Sequence, residues 1–124
     1  MPTRSLRSSV LKWPDRAAVH AAVAAWAREA ARTHPELLRA GYFGSYARGD
    51  WGVGSDVDLI LIVERAERDR AERALEWDVL ALPVPAEALV YTAEEWDGLR
   101  ANGGRFGRTL AAEAVWVYER GGDP

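Results

Sequence analysis

Three kinds of residue or segment are scarce in this sequence, and each scarcity excludes a class of protein. The 124-residue chain contains no cysteine, which excludes disulfide bonds, thiolate metal sites and a cysteine nucleophile. No apolar run approaches the ~20 residues that a membrane-spanning helix needs, so no membrane partner is expected. Residues 1–14 lack an apolar stretch of signal-peptide length, and we therefore expect a cytoplasmic protein.

Lysine is also scarce, since Lys12 is the only one, and the 19 acidic residues outnumber the 16 basic ones to give a formal net charge of -3. An acidic balance argues against an extended nucleic-acid-binding surface, so direct binding of nucleic acid is not expected. The composition, 48% hydrophobic and 28% charged, is typical of a globular protein, and the length suits one compact unit. We predict a single domain over residues 1–124.

Hydrophobic periodicity predicts alternating helices and strands. The first helix spans residues 15–34, where Val19 and Val23 recur at helical spacing. The elements predicted after it are a strand (37–43), a short helix (46–48), a strand (56–63), a helix (64–77), a strand (87–91), a helix capped by Thr92 and Glu95 and ending near 102, a helix (106–113) and a final strand (115–118). This order predicts an α/β (α+β) fold with a small mixed sheet flanked by helices.

Two of these segments differ in how clearly they show a buried face. The strand 56–63 is apolar on both faces after its first few residues, which predicts a central position in the sheet. The helix 64–77 is highly charged, so few apolar positions define its packing side. The residues predicted to face inward from it and from the segment that follows are Ala66, Leu75, Val79 and Leu80.

Two carboxylates stand at the leading end of the buried strand. Asp56 and Asp58 are two residues apart, so on a strand their side chains leave the same face. Two adjacent carboxylates repel each other and one pKa rises, whereas a hard divalent cation such as Mg²⁺ removes that penalty. Glu87 begins the next predicted strand and is the candidate third carboxylate. The sequence therefore predicts a magnesium site at Asp56, Asp58 and Glu87.

A candidate phosphate site precedes the carboxylates. Gly44 and Ser45 lie at a strand-to-helix turn, where free backbone N–H groups favour an anion such as a polyphosphate, and glycine allows the backbone to approach it closely. Arg48 is a further candidate for nucleotide binding, although it can instead pair with Asp50. Ser55 is a candidate too, with ordering of the loop as its favoured role. A phosphate site this close to a carboxylate pair predicts nucleotide chemistry.

A family resemblance rests on three motifs in this region: Gly44-Ser45, Arg48-Gly49 and Ser55-Asp56-Val57-Asp58-Leu59. Together they resemble the signature of the polymerase-β-like nucleotidyltransferases. The short chain looks most like the minimal nucleotidyltransferases, which are often the antitoxin partners of HEPN-domain toxins. The resemblance implies a polymerase-β-like core, two Mg²⁺ ions held by the carboxylates, and ATP or another nucleoside triphosphate held at the glycine turn.

The resemblance also implies a reaction and a partner. AMP, or another nucleotide, would be transferred to a hydroxyl, with a tyrosine of a HEPN-domain toxin as the expected acceptor and a hetero-oligomer with that toxin as the expected assembly. The third carboxylate of the family is usually an aspartate, where this chain has Glu87. That departure leaves open a non-catalytic antitoxin that neutralises its partner by binding. Nucleotidyl transfer to a small molecule or to an RNA end stays open as well.

Overall fold

A computed structural model describes residues 13–122, and residues 1–12 and 123–124 lie outside the described part. The helices are α1 (Arg16–Thr33), α2 (Ser45–Arg48), α3 (Arg70–Arg73), α4 (Ala93–Asn102) and α5 (Gly104–Glu113). The strands are β1 (Leu37–Phe43), β2 (Val57–Val63), β3 (Ala86–Thr92) and β4 (Val115–Glu119), with two 3₁₀ turns, Ala74–Glu76 and Val79–Ala81, before β3. The predicted class, a small mixed sheet flanked by helices, is confirmed.

Two of the sequence expectations concern residues beyond this part of the chain. The expected lack of a signal peptide falls mostly on residues 1–12, which are outside it. The extent of one domain over residues 1–124 stays a prediction for the same reason. Within residues 13–122, no helix has the length and hydropathy needed to cross a membrane.

The strand order β3-β2-β1-β4 puts β2 inside the sheet. β1 runs antiparallel to both β2 and β4, whereas β2 and β3 run parallel. Because parallel strands begin at the same edge of a sheet, Asp58 near the start of β2 pairs with Glu87 near the start of β3. Two of the three candidate carboxylates are therefore neighbours across adjacent strands.

The central strand is buried on both faces, as its composition predicts. Leu59 and Leu61 belong to the hydrophobic layer that contains α1. Ile60 and Ile62 belong to the opposite layer, where Trp96 of α4 packs. Full burial of one such side chain stabilises the fold by about 1.5–3 kcal/mol. Asp58 is thus carried by the most firmly packed strand of the sheet.

Capping interactions set the predicted helix boundaries. The Asp15 side chain accepts a hydrogen bond from the Ala18 N–H at 2.9 Å and begins α1. Thr92 and Glu95 form the predicted capping box at the start of α4: the Glu95 N–H donates to Thr92 Oγ1 at 3.1 Å, and the Thr92 N–H donates to Glu95 Oε1 at 2.9 Å. Each such cap satisfies backbone donors that a helix leaves free at its start.

The predicted helix 64–77 is wrong. Residues 64–69 form no helix, α3 covers only four residues, and Leu75 and Leu80 are 85% and 93% exposed instead of facing inward. Arg73 is buried in their place, because its guanidinium donates to the Arg68 and Val90 carbonyls at 2.7 and 3.1 Å. These hydrogen bonds hold the chain in a short turn. A continuous helix through this segment would break them.

The buried Arg73 makes stability depend on pH. Its guanidinium donates to the two carboxylate oxygens of Glu95 at 2.7 and 3.2 Å, and this interaction lowers the pKa of Glu95 from 4.5 to about 2. A depressed carboxylate pKa adds stability above the unfolded pKa, and that stability is lost as the pH falls through the folded pKa. Because 39% of the Glu95 side chain is exposed, solvent screening reduces the contribution to about 1–2 kcal/mol.

Replacing Glu95 by glutamine is therefore expected to lower the free energy of unfolding by about 1–2 kcal/mol at neutral pH. The difference from the wild type should shrink as the pH falls below 4.5 and approach zero near pH 2, where Glu95 itself becomes neutral. Urea unfolding of both proteins across this range measures it. A difference that stayed constant with pH would mean that the charge of Glu95 contributes nothing.

Candidate active site

The turn between β1 and α2 requires glycine for two reasons. Gly44 has φ 79° and ψ -152°, a combination of backbone angles that residues with a Cβ atom essentially never adopt. A Cβ added at Gly44 would also overlap the carboxylate oxygen Oδ2 of Asp58. The backbone of the turn therefore lies directly against the Asp58 carboxylate, with no side chain between them.

The carboxylates at this edge of the sheet influence the pKa of Asp58. Burial raises the pKa of Asp58, and the nearby charges of Asp56 and Glu87 raise it further, while the Arg48 guanidinium lowers it. Asp58 is half-buried, whereas Asp56 and Glu87 are exposed. The site thus concentrates negative charge around one desolvated carboxylate, an arrangement that a bound cation would relieve.

The donor set fits a cation that takes most of its ligands from elsewhere. Within residues 13–122, no group of three or more His, Asp or Glu side chains is close enough together to hold a metal ion. Mg²⁺ usually binds proteins through one or two carboxylates and completes its coordination with phosphate oxygens and water. The Asp56 and Asp58 carboxylates supply ligands of that type and number, so they fit Mg²⁺ bound together with a triphosphate.

A fourth carboxylate reaches the turn from the C-terminal helix. Glu113, the last residue of α5, accepts a hydrogen bond from the Gly44 N–H at 2.9 Å and from the Arg48 guanidinium at 3.2 Å. Arg48 also donates from Nε to Asp50 at 3.1 Å, and these two hydrogen bonds raise its pKa above the usual value. Arg48 therefore links the loop after α2 to α5.

The loop between α2 and β2 is ordered by its own side chains. Ser55 Oγ accepts a hydrogen bond from the Gly52 N–H at 2.8 Å, which is the loop-ordering role favoured for it. Trp51 stacks on Tyr46 with ring centroids 5.5 Å apart and planes 8° from parallel. The Trp13 indole N–H donates to the Ser55 carbonyl at 3.2 Å. These contacts hold the loop that leads into Asp56.

A cavity of about 220 Å³ opens beside the turn and the central carboxylate. Its lining residues are Phe43, Gly44, Arg48, Asp58, Phe106, Thr109, Leu110 and Glu113. Larger cavities, of about 280 and 240 Å³, flank Trp77 and contain none of the candidate site residues. The small cavity is the candidate active site, because it joins the candidate phosphate site, the candidate metal ligand and α5.

Four of the eight residues that line this cavity, Phe43, Gly44, Arg48 and Asp58, lie in a segment that matches a known protein family. A model of the nucleotidyltransferase domain matches residues 25–103, more than half of the chain. The chain belongs to this family. The matched range contains the glycine turn and all three predicted carboxylates, and it ends before Glu113.

The fold of this nucleotidyltransferase domain is similar to that of several solved structures. A candidate nucleotidyltransferase from Sulfolobus solfataricus is 21% identical, with a TM-score of 0.62 over 85% of this chain and 84% of that one. A toxin-antitoxin structure with AMP-PNP is 18% identical, and an MntA-HpeT toxin-antitoxin mutant with two Asp-to-Glu replacements is 15% identical. Their TM-scores are 0.55 and 0.52, and each match covers 79% of this chain and 74% of that one. Comparison with curated proteins gives no match.

The structure brings most of the predicted site residues of this nucleotidyltransferase to one end of the sheet. Gly44, Arg48 and Asp58 line one cavity, and Glu87 pairs with Asp58 on the next strand. Ser55 is turned into the loop instead. Glu113 is the residue that sequence reasoning missed: its partners are 69 and 65 positions away along the chain, so no local pattern indicated it.

Proposed function

We propose that this nucleotidyltransferase binds a nucleoside triphosphate, with Mg²⁺, at the cavity beside Asp58 and transfers its nucleotide to a hydroxyl group on a partner protein. The observation that carries the proposal is the position of Asp58 between the Gly44 backbone and Glu87. A half-buried carboxylate against a backbone turn that carries no side chain suits a metal–triphosphate complex better than a structural role.

At the phosphate end, the proposal assigns the terminal phosphates to the glycine turn. The Gly44 N–H and the Arg48 guanidinium are donors of the kind that bind phosphate oxygens, and Ser45 follows at the start of α2. Gly44 lacks a side chain, so phosphate and Asp58 can approach the same stretch of backbone. Binding here would hold the leaving pyrophosphate in place while the α-phosphate faces the carboxylates.

At the carboxylate end, Asp56 and Asp58 would hold Mg²⁺, with Glu87 beside Asp58 on β3. Bound Mg²⁺ supplies charge neutralisation for the attacking and leaving oxygens. The acceptor oxygen forms a bond to the α-phosphorus while the bond to pyrophosphate breaks, and the acceptor proton passes to a carboxylate or water. Because β2 is buried on both faces, Asp58 is fixed before substrate binds, and positioning supplies much of the rate.

The fold neighbours support a toxin as the partner of this chain. Two of them are toxin-antitoxin structures, and one of these contains AMP-PNP. We propose that the acceptor is a tyrosine of a HEPN-domain toxin and that the chain acts as its antitoxin in a cytoplasmic hetero-oligomer. ATP is the proposed donor, and AMP the transferred group.

One observation favours a second candidate, an antitoxin that neutralises its partner by binding alone. The family usually has an aspartate where this chain has Glu87, whose side chain is exposed and one methylene longer. The extra methylene carries the carboxylate oxygens further out from the sheet, beyond the position of an aspartate carboxylate that would assist the acceptor. Under this candidate, replacing Glu87 by aspartate is expected to create transfer activity that the wild type lacks.

The first experiment is to search the genes beside that of this chain for a HEPN-domain protein, and to analyse that protein by mass spectrometry after incubation with the chain, ATP and Mg²⁺. We expect the partner to gain mass in whole AMP units, and the Asp56→Asn/Asp58→Asn variant to give no gain. A stable complex without any mass change, in the presence of the wild type, would contradict transfer. In that case a gain of activity by Glu87→Asp would identify the second candidate.

A further inference from the structure

The carboxylate of Glu113 occupies the donors that the proposed function assigns to phosphate. The Gly44 N–H donates to Glu113 Oε2 at 2.9 Å, and the Arg48 guanidinium donates to Glu113 Oε1 at 3.2 Å. Only 15% of the Glu113 side chain is exposed. The chain thus places one of its own anions at the turn where the substrate anion is expected.

These contacts are of the kind that a phosphate oxygen would make. A carboxylate that accepts from a backbone N–H and from a guanidinium forms charge-assisted hydrogen bonds, which are stronger than neutral ones. The cavity bounded by Glu113 and Asp58 measures about 220 Å³, below the ~300–1,000 Å³ of most small-molecule sites. When a triphosphate binds, the Gly44 and Arg48 donors are therefore already hydrogen-bonded, and the cavity beside them is small.

Electrostatic repulsion disfavours simultaneous binding of the Glu113 carboxylate and a triphosphate at the turn. A triphosphate at the turn would lie beside the Glu113 carboxylate in a partly desolvated site, where like charges repel strongly. Arg48 does not depend on Glu113 alone, since its Nε also donates to Asp50 at 3.1 Å. Withdrawal of Glu113 would therefore free one guanidinium donor and the Gly44 N–H without releasing Arg48 from the loop.

We propose that Glu113 is an internal competitor for the phosphate site: its carboxylate holds the Gly44 and Arg48 donors in the free protein, and a polyphosphate binds only by displacing it. This inference rests on the proposed function in one respect, that the turn binds phosphate. Glu113 would then be a determinant of nucleotide affinity that lies in α5, outside residues 25–103 matched by the family model. Its carboxylate lowers the affinity of the free protein for nucleotide.

A purely structural role for Glu113 leads to the opposite expectation. If the carboxylate served only to fasten α5 to the turn, its removal would loosen Gly44 and Arg48 and weaken phosphate binding. As an internal competitor, its removal strengthens phosphate binding. The sign of the change in affinity therefore separates the two roles.

The test is isothermal titration of the full chain with inorganic tripolyphosphate and, separately, with ATP and Mg²⁺. Glu113→Gln keeps the shape of the side chain and removes its charge, whereas Glu113→Asp keeps the charge and shortens the reach. Asp97→Asn, on α4 and paired with Arg100, removes one negative charge elsewhere. We expect about tenfold tighter tripolyphosphate binding for Glu113→Gln, a smaller gain for Glu113→Asp, and little change for Asp97→Asn.

Three outcomes would overturn the inference: weaker binding by both Glu113 variants, unchanged binding by both, or an equal gain for Asp97→Asn, which would make overall charge the cause. Thermal melts without ligand check that each variant is folded. The binding test and the transfer experiment can be told apart by their outcomes. Tighter tripolyphosphate binding without transfer to any partner would support the competitor and contradict transfer, whereas transfer with unchanged affinities would do the reverse.

Discussion

Replacing Asp58 by asparagine is expected to slow nucleotidyl transfer by roughly a thousandfold while leaving the folded protein at least as stable as the wild type. Under the proposed function, the rate falls because the amide would be a weak ligand for Mg²⁺ and would not balance its charge. Stability is kept because burial and the charges of Asp56 and Glu87 already disfavour the ionised Asp58 carboxylate. A residue that costs stability and supports activity is typical of a functional site.

Two measurements check this prediction together: transfer to the partner by mass spectrometry, and urea unfolding of the metal-free variant. Asp97→Asn on α4 is the matched control, since it makes the same chemical change at an exposed carboxylate outside the cavity. We expect it to keep full activity. Wild-type transfer rates in Asp58→Asn would remove Asp58 from the proposed mechanism, and a large loss of stability would assign it a structural role.

The strands and the site motifs could be predicted from the sequence because their signals are local. β1 was predicted at residues 37–43 and has those bounds, and β2 was predicted one residue too long at its start. An apolar run predicts the central strand, and a glycine followed by a short helix predicts the turn between β1 and α2. The sequence also places Asp58 and Glu87 near the starts of their strands, but their pairing depends on the parallel arrangement of β2 and β3, which is a property of the sheet.

The segment after β2 could not be predicted because tertiary contacts decide its conformation. Its charged sequence has good intrinsic helix propensity, which is a weak guide when packing competes. The Asp69 side chain accepts from the Glu72 N–H at 3.1 Å and begins a helix of four residues. Arg73 then turns inward to Val90 and Glu95. Val90 and Glu95 are 17 and 22 positions away from Arg73 in the sequence, so no local pattern indicated these contacts, and Leu75 and Leu80 were wrongly predicted to face inward.

Glu113 shows the same limit at the site itself. The motifs that predicted the phosphate site all lie between Gly44 and Leu59, whereas the carboxylate that occupies its donors comes from α5. α5 reaches the turn because β4, which follows it, pairs with β1. Sequence patterns identify donors and acceptors separately, and only the sheet order determines which of them meet.

Replacing Gly44 by alanine is expected to have the largest effect on the fold of any change at the site. The backbone at Gly44, with φ 79° and ψ -152°, is accessible almost only to glycine, and forcing another residue into it costs about 1–3 kcal/mol. The added Cβ would also overlap Asp58 Oδ2, so we expect a total loss of about 3 kcal/mol or more in the free energy of unfolding. Nucleotide binding should be lost as well, because the turn has to move away from Asp58.

The matched control for this prediction is Gly49→Ala at the other end of α2. Gly49 also has a positive φ, 86°, but no described atom lies within 4 Å of where its Cβ would be, so only the left-handed backbone is penalised, by about 1 kcal/mol. Urea unfolding of both variants measures the difference. In an Asp58→Ala background the overlap disappears, and Gly44→Ala should cost less than it does in the wild type. Equal costs in the two backgrounds would mean that the strain lies in the backbone alone, and that contact with Asp58 is not the reason for glycine at this turn.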